Sequence, residues 1–510
     1  MTQNDDQDFD DLPPRASAML ESLRGVGYTP ETAIADLIDN SIAARARNVW
    51  IEFIWRGPAS VIRVLDDGNG MTEAALTEAM RPASRHPLEA REPGDLGRFG
   101  LGLKTAALSL GRVLAVSSRP PGGQQAVRCW DLDHVADVNA WRLLRGAPAP
   151  LQADAAVPEH LASGTTVLIG NLDRLLSRAG DENSRAQFLA IAHRVESHVG
   201  MTFHRFLEGP HPKVAMFIGS GTFSKISPWD PFLQSHPATI ATPAERLPHV
   251  AGPIEVKGFV LPHRDRLTTD QFNRAGGPDG WLSHQGFFVY RDQRLLVAGG
   301  WMGLGPGRRW TRDDIHKLAR IRLDLTSGGD DSWKVDIRKS TVVAPATLRP
   351  RLQALAEQVR RGAREVFAFR GGRSTRGGQP AMIRPWTAVQ GAAGPIYRID
   401  RNHPIVRRVL DSAGESGLPV ADMLHILEVT LPVQRIWLET AEREEVAETL
   451  PVLQMSATDQ SVLLSIYTHM RNGLRLSAEV ARRRLAAVEP FSSYPQAIAQ
   501  LPDDPGVSCP

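Results

Sequence analysis

The sequence predicts an α+β protein with several domains: a mixed helix-and-strand domain first, a second α+β domain next, and a mainly helical region at the end. Its 510 residues exceed what one hydrophobic core usually organises. Short runs rich in β-branched and aromatic residues alternate with helical patterns in the first two thirds, whereas helical patterns dominate later. We therefore predict domains over residues 1–209, 210–370 and 395–510, with a flexible linker rich in glycine and arginine over 371–394.

Composition excludes several classes of protein. Lys plus Arg number 59 and Asp plus Glu 57, so the net charge of +2 neither favours nor excludes a nucleic-acid partner. Two cysteines, Cys129 and Cys509, are too few for a zinc module or a disulfide framework and favour a reducing compartment. The sequence contains no signal-like N-terminus and no run of 18 apolar residues, so we expect a cytoplasmic protein without a membrane span.

The first predicted helix carries an acid and an amide on one face. Thr29 as N-cap and Pro30 at the first helical position predict a helix that runs to about Ala44. Asp36 and Asn40 are four residues apart and project from the same side. A carboxylate there can orient and deprotonate a water, and a carboxamide can complete the oxygen shell of Mg²⁺. Such a pair is also common on solvated helix surfaces, so alone it identifies no function.

A glycine turn after a β run is the second element. Runs over 48–55 and 60–65 predict a hairpin, and directly after it come four residues suited to a flat ring. These are Asp66, Gly68, Gly70 and Met71. The glycines permit close approach, the carboxylate can accept a hydrogen bond from an exocyclic amine such as that of adenine, and the thioether is polarisable. The alternatives are a simple Asp-Gly turn or a calcium loop, but the further acidic positions of an EF-hand loop are missing.

A glycine-rich turn that opens a helix is the third element. Its residues are Gly97, Phe99, Gly100, Leu101, Gly102, Leu103, Lys104 and Thr105. Free backbone N–H groups at a helix start bind phosphate, and the lysine adds positive charge. The pattern is neither a Walker loop nor an obvious dinucleotide fingerprint, because the GKS or GKT ending and a directly preceding β run are absent. The proline-rich stretch 81–97 before it predicts a long loop, a common form of lid.

The rest of the first two domains follows the same logic. We predict a helix over 102–110, strands over 113–118, 126–132 and 165–171, a long helix over 184–206, strands over 286–290 and 320–325, and a helix over 347–369.

In this order and spacing the three elements resemble those of the GHKL ATPases, the superfamily of DNA gyrase, heat-shock chaperones, histidine kinases and MutL. The resemblance implies a Bergerat-type α/β sandwich that binds ATP with Mg²⁺ and hydrolyses it. It assigns Asp36 as general base, Asn40 as Mg²⁺ ligand and Asp66 as reader of adenine, and it matches Thr165 to the family's adenine-site threonine. The loop after Met71 would be the ATP lid, with Ser84, Arg85 and His86 near its middle.

One residue departs from the family pattern. The family usually has glutamate at the position of Asp36, so the carboxylate begins one methylene further from the γ-phosphate. The departure implies either slow turnover or a helix that sits closer to the phosphates, and it affects turnover more than ATP binding. Asp39 is the nearest substitute base, although three residues away it need not face the same pocket.

Within the superfamily the chain most resembles bacterial MORC-like and MutL-like proteins, because the ATPase domain comes first and a second domain follows at once. Residues 285–296 and 333–340 resemble their transducer domain, which is S5-like. There a loop lysine would reach the γ-phosphate, with Lys339 the first candidate and Lys334 the second. A solvated basic loop after a strand is the alternative.

The resemblance also implies partners. An ATP-dependent homodimer would clamp or remodel DNA, and similarity to bacterial MORC-like proteins extends this to defence against foreign DNA with a separate nuclease partner. The alternatives are a chaperone-like ATPase acting on protein clients and an ATP-binding switch with little turnover. Arginines that suit a phosphate backbone cluster at 308, 309 and 312, at 360, 361 and 364, and at 482 to 484, but such runs are often solvated faces balanced by acids.

Overall fold

The computed structural model describes most of the chain as two compact units, Met1–Gly371 and Gly372–Pro510. The described residues are 10, 12, 14–82, 102–176, 182–210, 212–250, 252–326, 332–334, 342–368, 385–391, 394–412, 417–431, 455, 457–488, 491 and 494–503. Among them, no helix is long and apolar enough to span a membrane.

The first unit contains the predicted mixture of helices and strands. Its described helices are α1 (Ala16–Leu23), α2 (Pro30–Ala43), α3 (Glu73–Met80), α4 (Gly102–Leu110), α5 (Leu132–Val138), α6 (Gln152–Ala155), α7 (Glu182–Thr202), α8 (His204–Leu207), α9 (Thr269–Gly276), α10 (Gly280–Ser283) and α11 (Arg349–Ala368). Its described strands are β1 (Asn48–Ile54), β2 (Val61–Asp66), β3 (Val113–Arg119), β4 (Ala126–Asp131), β5 (Gly164–Gly170), β6 (Ala215–Ser220), β7 (Thr222–Lys225), β8 (Ile240–Ala241), β9 (Glu245–Leu247), β10 (Ile254–Val260), β11 (Gly286–Arg291), β12 (Arg294–Ala298) and β13 (Ala319–Leu325).

The first sheet has seven strands in the order β4-β3-β5-β2-β1-β6-β7. Its neighbours are antiparallel except β1 and β6. Alternate residues of each strand face opposite sides, so Leu114 joins a large core with α2, α4 and α7, whereas Val113 and Ala115 join a smaller cluster with α6. This arrangement is the α/β sandwich that the sequence predicts.

Helix α2 begins where its cap residues predict. The side chain of Thr29 accepts a hydrogen bond from the N–H of Thr32, whose own side chain accepts one from the N–H of Thr29, and Pro30 occupies the first helical position. The buried residues Ile34, Leu37 and Ile38 hold the helix against the sheet. Because this face is tied to the core, the polar residues of α2 have defined positions above the sheet edge.

A second sheet follows in the order β12-β11-β13-β10-β8, and β9 also pairs with β10. Helix α11 packs on it through Leu352, Ala356 and Val359. Strands β11 and β13 are parallel, and the hairpin β11–β12 is antiparallel with a register shift at Val289 and Tyr290. The two strands predicted in this part, 286–290 and 320–325, are therefore present, and together with the first sheet they confirm the α+β class.

The second unit begins differently from the sequence prediction. A hairpin of β14 (Trp386–Gly391) and β15 (Gly394–Ile399) occupies the end of the stretch 371–394 that the composition predicts as linker. The two strands pair from Trp386 opposite Ile399 to Gly391 opposite Gly394, and the β-branched and aromatic residue types in this part of the sequence favour strands more than the glycine-rich composition of the whole stretch suggests. The described helices that follow are α12 (Pro404–Ser412), α13 (Gly417–Val429), α14 (Ala457–Thr468), α15 (Ala478–Leu485) and α16 (Pro495–Ala499).

Candidate nucleotide-binding site

Asp66 lies at the end of central strand β2, directly opposite Thr165 of β5 in the sheet register. Its side chain is buried and held by two donors. Ser41 Oγ donates to Oδ2 over 2.8 Å, and the N–H of Gly68 donates to Oδ1 over 2.9 Å. Burial nevertheless raises the pKa of this carboxyl above its ordinary value. The result is a fixed hydrogen-bond acceptor at the end of the central strand, as recognition of an exocyclic amine requires.

Neighbouring backbone atoms leave no room for a side chain at the two glycines after Asp66. A Cβ on Gly68 would lie 2.8 Å from the carbonyl oxygen of Ala44, and one on Gly70 would lie 2.0 Å from that of Arg119. Gly70 also has a φ of 62°, in the left-handed region that favours glycine. The sequence predicts these glycines for close approach of a ring; in the structure they also allow close packing of the turn against neighbouring backbone.

A short hydrogen-bond chain lies next to Asp66 at the ends of the central strands. Thr165 Oγ1 lies 2.8 Å from Ser118 Oγ, which accepts a hydrogen bond of 2.8 Å from the N–H of Met71. Ser118, on β3, was not identified from the sequence. Ser118 bonds both Thr165 and Met71, which the sequence predicts. The three residues therefore lie near Asp66 at the ends of the central strands.

Asp36 is buried on α2 beside the start of α4. The hydroxyl of Tyr28 donates to Asp36 Oδ2 over 2.6 Å and also bonds the side chain of Thr105. A Cβ on Gly102 would lie 3.8 Å from the same Oδ2 atom. Burial, followed by the charge of Asp36, raises the pKa of Tyr28, so this hydroxyl keeps its proton and remains a donor. One turn further on, Asn40 is exposed.

The residues present fit a magnesium ion that arrives with phosphate. Within the described parts of the chain there is no group of three or more His, Cys, Asp or Glu side chains able to hold a metal. Mg²⁺ usually takes only one or two protein ligands and completes its octahedron with phosphate oxygens and waters. The exposed carboxamide of Asn40 can supply one such oxygen.

Lys104 is directed toward the end of α3. Its Nζ atom donates to the carbonyl oxygens of Ala79 and Arg81 over 2.8 and 2.9 Å, and the side chain is buried. Burial lowers the pKa of this lysine to about 8. In this conformation the ammonium group therefore joins α4 to α3. Leu103 packs on the first core. Other predicted residues, Gly97, Phe99, Gly100, Leu101 and the lid residues Ser84, Arg85 and His86, lie outside the described residues.

A residue of the second sheet reaches the same helix face. Arg294, the first residue of β12, donates from Nε to Asp39 over 2.8 Å and from Nη2 to Asp36 Oδ1 over 3.4 Å. The sequence singled out the surrounding segment but not this arginine. Lys334 is exposed, and Lys339 lies outside the described residues.

A mixed sheet with a buried carboxylate at the end of its central strand, covered by a helix that bears an acid and an amide, is the arrangement expected of a GHKL-type domain. Residues 28–165 match the family model described as histidine kinase-, DNA gyrase B- and HSP90-like ATPase. The chain therefore carries a domain of the GHKL ATPase superfamily.

Two relatives are similar over short stretches. ATPase morc-1 from Caenorhabditis elegans is 35% identical over 111 residues, which are 21% of this chain and 13% of the relative. DNA mismatch repair protein MutL from Clostridium beijerinckii (strain ATCC 51743 / NCIMB 8052) is 36% identical over 63 residues, which are 12% of this chain and 9% of the relative. The matches thus span about a tenth of these relatives' length, and they support the resemblance to MORC and MutL proteins.

Proposed function

We propose that this protein binds ATP with Mg²⁺ and hydrolyses it, with Asp66 as the reader of adenine, Asn40 as the protein ligand of the metal and Asp36 as the general base. The observation that carries the proposal is the buried carboxylate of Asp66, fixed by Ser41 and Gly68 at the edge of a GHKL-type sheet. A fixed acceptor of this kind suits the adenine amino group, which is a donor, and disfavours guanine, which presents a carbonyl oxygen there.

The chemistry follows from the position of Asp36. Its Oδ2 atom is held by Tyr28, so the carboxylate has a defined orientation beside the start of α4. In the proposed reaction Asp36 accepts a proton from a water whose oxygen attacks the γ-phosphorus; the bond to the β–γ bridging oxygen breaks, and ADP and phosphate leave. Mg²⁺, when bound, neutralises charge on the phosphates.

Four proteins test this proposal: the wild type, Asp36→Ala, Asp36→Glu and Asn40→Ala. Binding of Mg·ATP is measured by calorimetry and turnover by phosphate release. We expect Asp36→Ala to bind ATP but lose turnover by about 100-fold or more, as removal of a general base does, and Asn40→Ala to lose Mg·ATP binding. Equal turnover in the wild type and both Asp36 variants would remove the assignment of the base. A wild type that retains no adenine nucleotide with Mg²⁺ present would refute the whole proposal.

We further propose that ATP brings two copies together as a clamp on DNA. The MORC and MutL resemblance supports a dimer, and an exposed basic loop between β12 and β13 supports the nucleic-acid partner. Arg308, Arg309 and Arg312 are exposed on this loop. Of the two neighbouring acids, Asp313 bonds His316 and lies 3.6 Å from Arg360, and Asp314 lies 3.6 Å from Lys317, so both acids have other cationic partners and the loop keeps a positive charge.

In the other two arginine clusters, Arg360, Arg482 and Arg483 already have partners within the protein. Arg360 lies between the rings of Trp301 and Trp310, 4.5 and 4.7 Å from their centroids, and so supports the loop from within. In the last cluster, Arg482 pairs with Asp503 and Arg483 with Glu479. These two arginines follow the pattern of a charged face balanced by acids.

Salt dependence tests the choice of partner. We expect binding to duplex DNA that weakens steeply with ionic strength, and a shallower salt dependence when Arg308, Arg309 and Arg312 are all changed to Gln. The control changes the paired arginines Arg482 and Arg483 to Gln and should leave the slope unchanged. Salt-insensitive holding of unfolded protein would instead support the chaperone-like alternative.

Mass in solution, with and without ATP, tests the dimer. In the closed dimer we propose that Lys339 contacts the γ-phosphate.

The resemblance alone supports one more proposal, a role in defence against foreign DNA with a separate nuclease partner.

A further inference from the structure

The tip of the β11–β12 hairpin brings a buried positive charge against the proposed catalytic helix. Its turn residues Asp292 and Gln293 have φ angles of 47° and 76°, the left-handed geometry of a tight hairpin turn built here without glycine. Arg294 follows directly, and its side chain is only 5% exposed. The side chains of Asp36 and Asp39, at 4% and 2% exposure, are as deeply buried. Two acids and one arginine thus form a cluster largely shielded from solvent.

The arginine is shared unequally between the two acids. Its Nε atom lies 2.8 Å from Asp39, an ordinary charge-assisted hydrogen bond, whereas its Nη2 atom lies 3.4 Å from Asp36 Oδ1, at the long limit of hydrogen-bonding distance. Asp39 is therefore the main anchor of the guanidinium. The contact with Asp36 is weaker and would strengthen if the anchor were removed.

Both carboxylate oxygens of Asp36 have protein partners in this conformation. Tyr28 donates to Oδ2 and Arg294 approaches Oδ1. A water that is to give its proton to Asp36 must bond one of these oxygens; each oxygen can accept a second hydrogen bond, but the tyrosine hydroxyl and the guanidinium leave fewer lone-pair directions for that water. Of the two, the 2.6 Å bond to Tyr28 comes from the segment just before α2, whereas the longer contact comes from the second sheet.

We propose that Arg294 is a positioning residue through which the second sheet restrains the general base: while the hairpin tip is docked, its guanidinium crowds Oδ1 of Asp36 and slows attack by water. The proposal rests on the proposed ATPase function. Movement of the hairpin tip withdraws the guanidinium, and Asp36 becomes available to water. The second sheet thereby controls hydrolysis through Arg294, which acts on the general base and does not contact the nucleotide.

The test is a double-mutant cycle on Arg294 and Asp39, with turnover and the Kd for Mg·ATP measured for each protein. We expect Arg294→Gln to raise kcat by about threefold or more and to change the Kd by less than about twofold, because the restraint acts on the base and not on nucleotide binding. Asp39→Asn should lower kcat, since Arg294 then pairs fully with Asp36. The double variant should match Arg294→Gln, because the effect of Asp39→Asn requires the arginine.

A matched control separates charge from docking. Lys213→Met removes another polar contact of the tip, the 2.9 Å hydrogen bond from Lys213 to Gln293, without changing the charge next to Asp36. We expect its kcat to stay within about twofold of the wild type.

Several outcomes would overturn the proposal: unchanged or lower kcat in Arg294→Gln, or a double variant as slow as Asp39→Asn, which would make Asp39 itself catalytic. If Arg294→Gln does not fold, the double variant, which removes both charges of the main pair, must still exceed Asp39→Asn in kcat. The wild-type measurements distinguish failure of the ATPase proposal from failure of the restraint. A wild type without ATP binding or turnover refutes the ATPase function. A normal wild type whose variants differ from the kcat values expected here refutes only the restraint.

Discussion

Lys104 Nζ lies 2.8 Å from the carbonyl oxygen of Ala79, so a side chain of α4 is bonded directly to the last turn of α3. The same ammonium group bonds the carbonyl of Arg81, and Trp130 donates to that of Met80 over 2.9 Å. Three consecutive carbonyl groups at the end of α3 are thus satisfied by side chains from elsewhere in the domain. The two helices that flank the predicted lid segment are therefore held together at its base.

Removal of this lysine should destabilise the domain in a pH-dependent way. We expect Lys104→Met to lower the free energy of unfolding by about 1–3 kcal/mol, because two carbonyl groups lose their donor. The pKa of Lys104 is about 8 in the folded protein, below the value of about 10.4 for an unfolded lysine. Between these values the unfolded state binds more protons, so the lysine's contribution to stability rises as the pH rises.

Urea unfolding at pH 7 and pH 10 checks this prediction. The difference between wild type and Lys104→Met should be larger at the higher pH, because the contribution is lost as the pH falls through about 8. Lys225→Met, at an exposed lysine, is the matched control. A difference that is equal at both pH values would contradict the prediction.

Gly70 and Gly122 form a matched pair for the turn after Asp66. Both have positive φ, 62° and 69°, but only Gly70 would place a Cβ against backbone, 2.0 Å from the carbonyl oxygen of Arg119; around Gly122 there is nothing within 4 Å. Gly122→Ala should therefore cost about 1 kcal/mol of stability from backbone conformation alone. Gly70→Ala should cost clearly more, about 3 kcal/mol or above, and weaken ATP binding. Equal losses in chemical denaturation would show that the turn relaxes freely.

Asp66→Asn should weaken ATP binding and reduce discrimination against GTP. The amide can still accept from the N–H of Gly68, but its amino group replaces an acceptor with a donor. We expect affinity for ATP to fall by about tenfold or more, measured by calorimetry with both nucleotides.

Asp67→Asn is the control for this change one residue away. Asp67 accepts from the N–H groups of Arg47 and Asn48 and so has a structural role. It should lose stability but keep the preference for ATP. If the ratio of the affinities for ATP and GTP is unchanged in Asp66→Asn, Asp66 has no role in adenine recognition.

His198 of α7 reports on the charge of Arg294. Burial and then the nearby Arg294 guanidinium lower the pKa of this histidine to about 4. In Arg294→Gln the second cause disappears, so we expect the pKa of His198 to rise, as measured by NMR titration. An unaltered pKa at His198 would mean that the guanidinium lies elsewhere in solution.

Local patterns were sufficient to predict most elements around the site. The cap at Thr29 and Pro30 and the start of α4 at Gly102 lie where the sequence places them, because capping, glycine conformations and side-chain periodicity act over a few residues. The strand at 386–391 lies where the sequence predicts a linker. That prediction used the composition of all of residues 371–394, and the average hides the short segment at its end that forms a strand.

The residues that sequence reasoning missed come from distant segments. Tyr28, Ser41 and Ser118 carry no local signature, and they touch Asp36, Asp66 and Thr165 only because the sheet and α2 bring them together. Their side chains are common types in common contexts, so no spacing rule selects them.

By itself the sequence determined the class of the first domain, because three short motifs, each confined to a few residues, occur in the order and spacing of one family. Tertiary structure decided how these motifs are held: Lys104 faces the end of α3, and Arg294, more than 250 residues away in sequence, pairs with the acids of α2. Such contacts depend on the packing of separate sheets and helices, and packing is a property of the whole fold and not of any one segment.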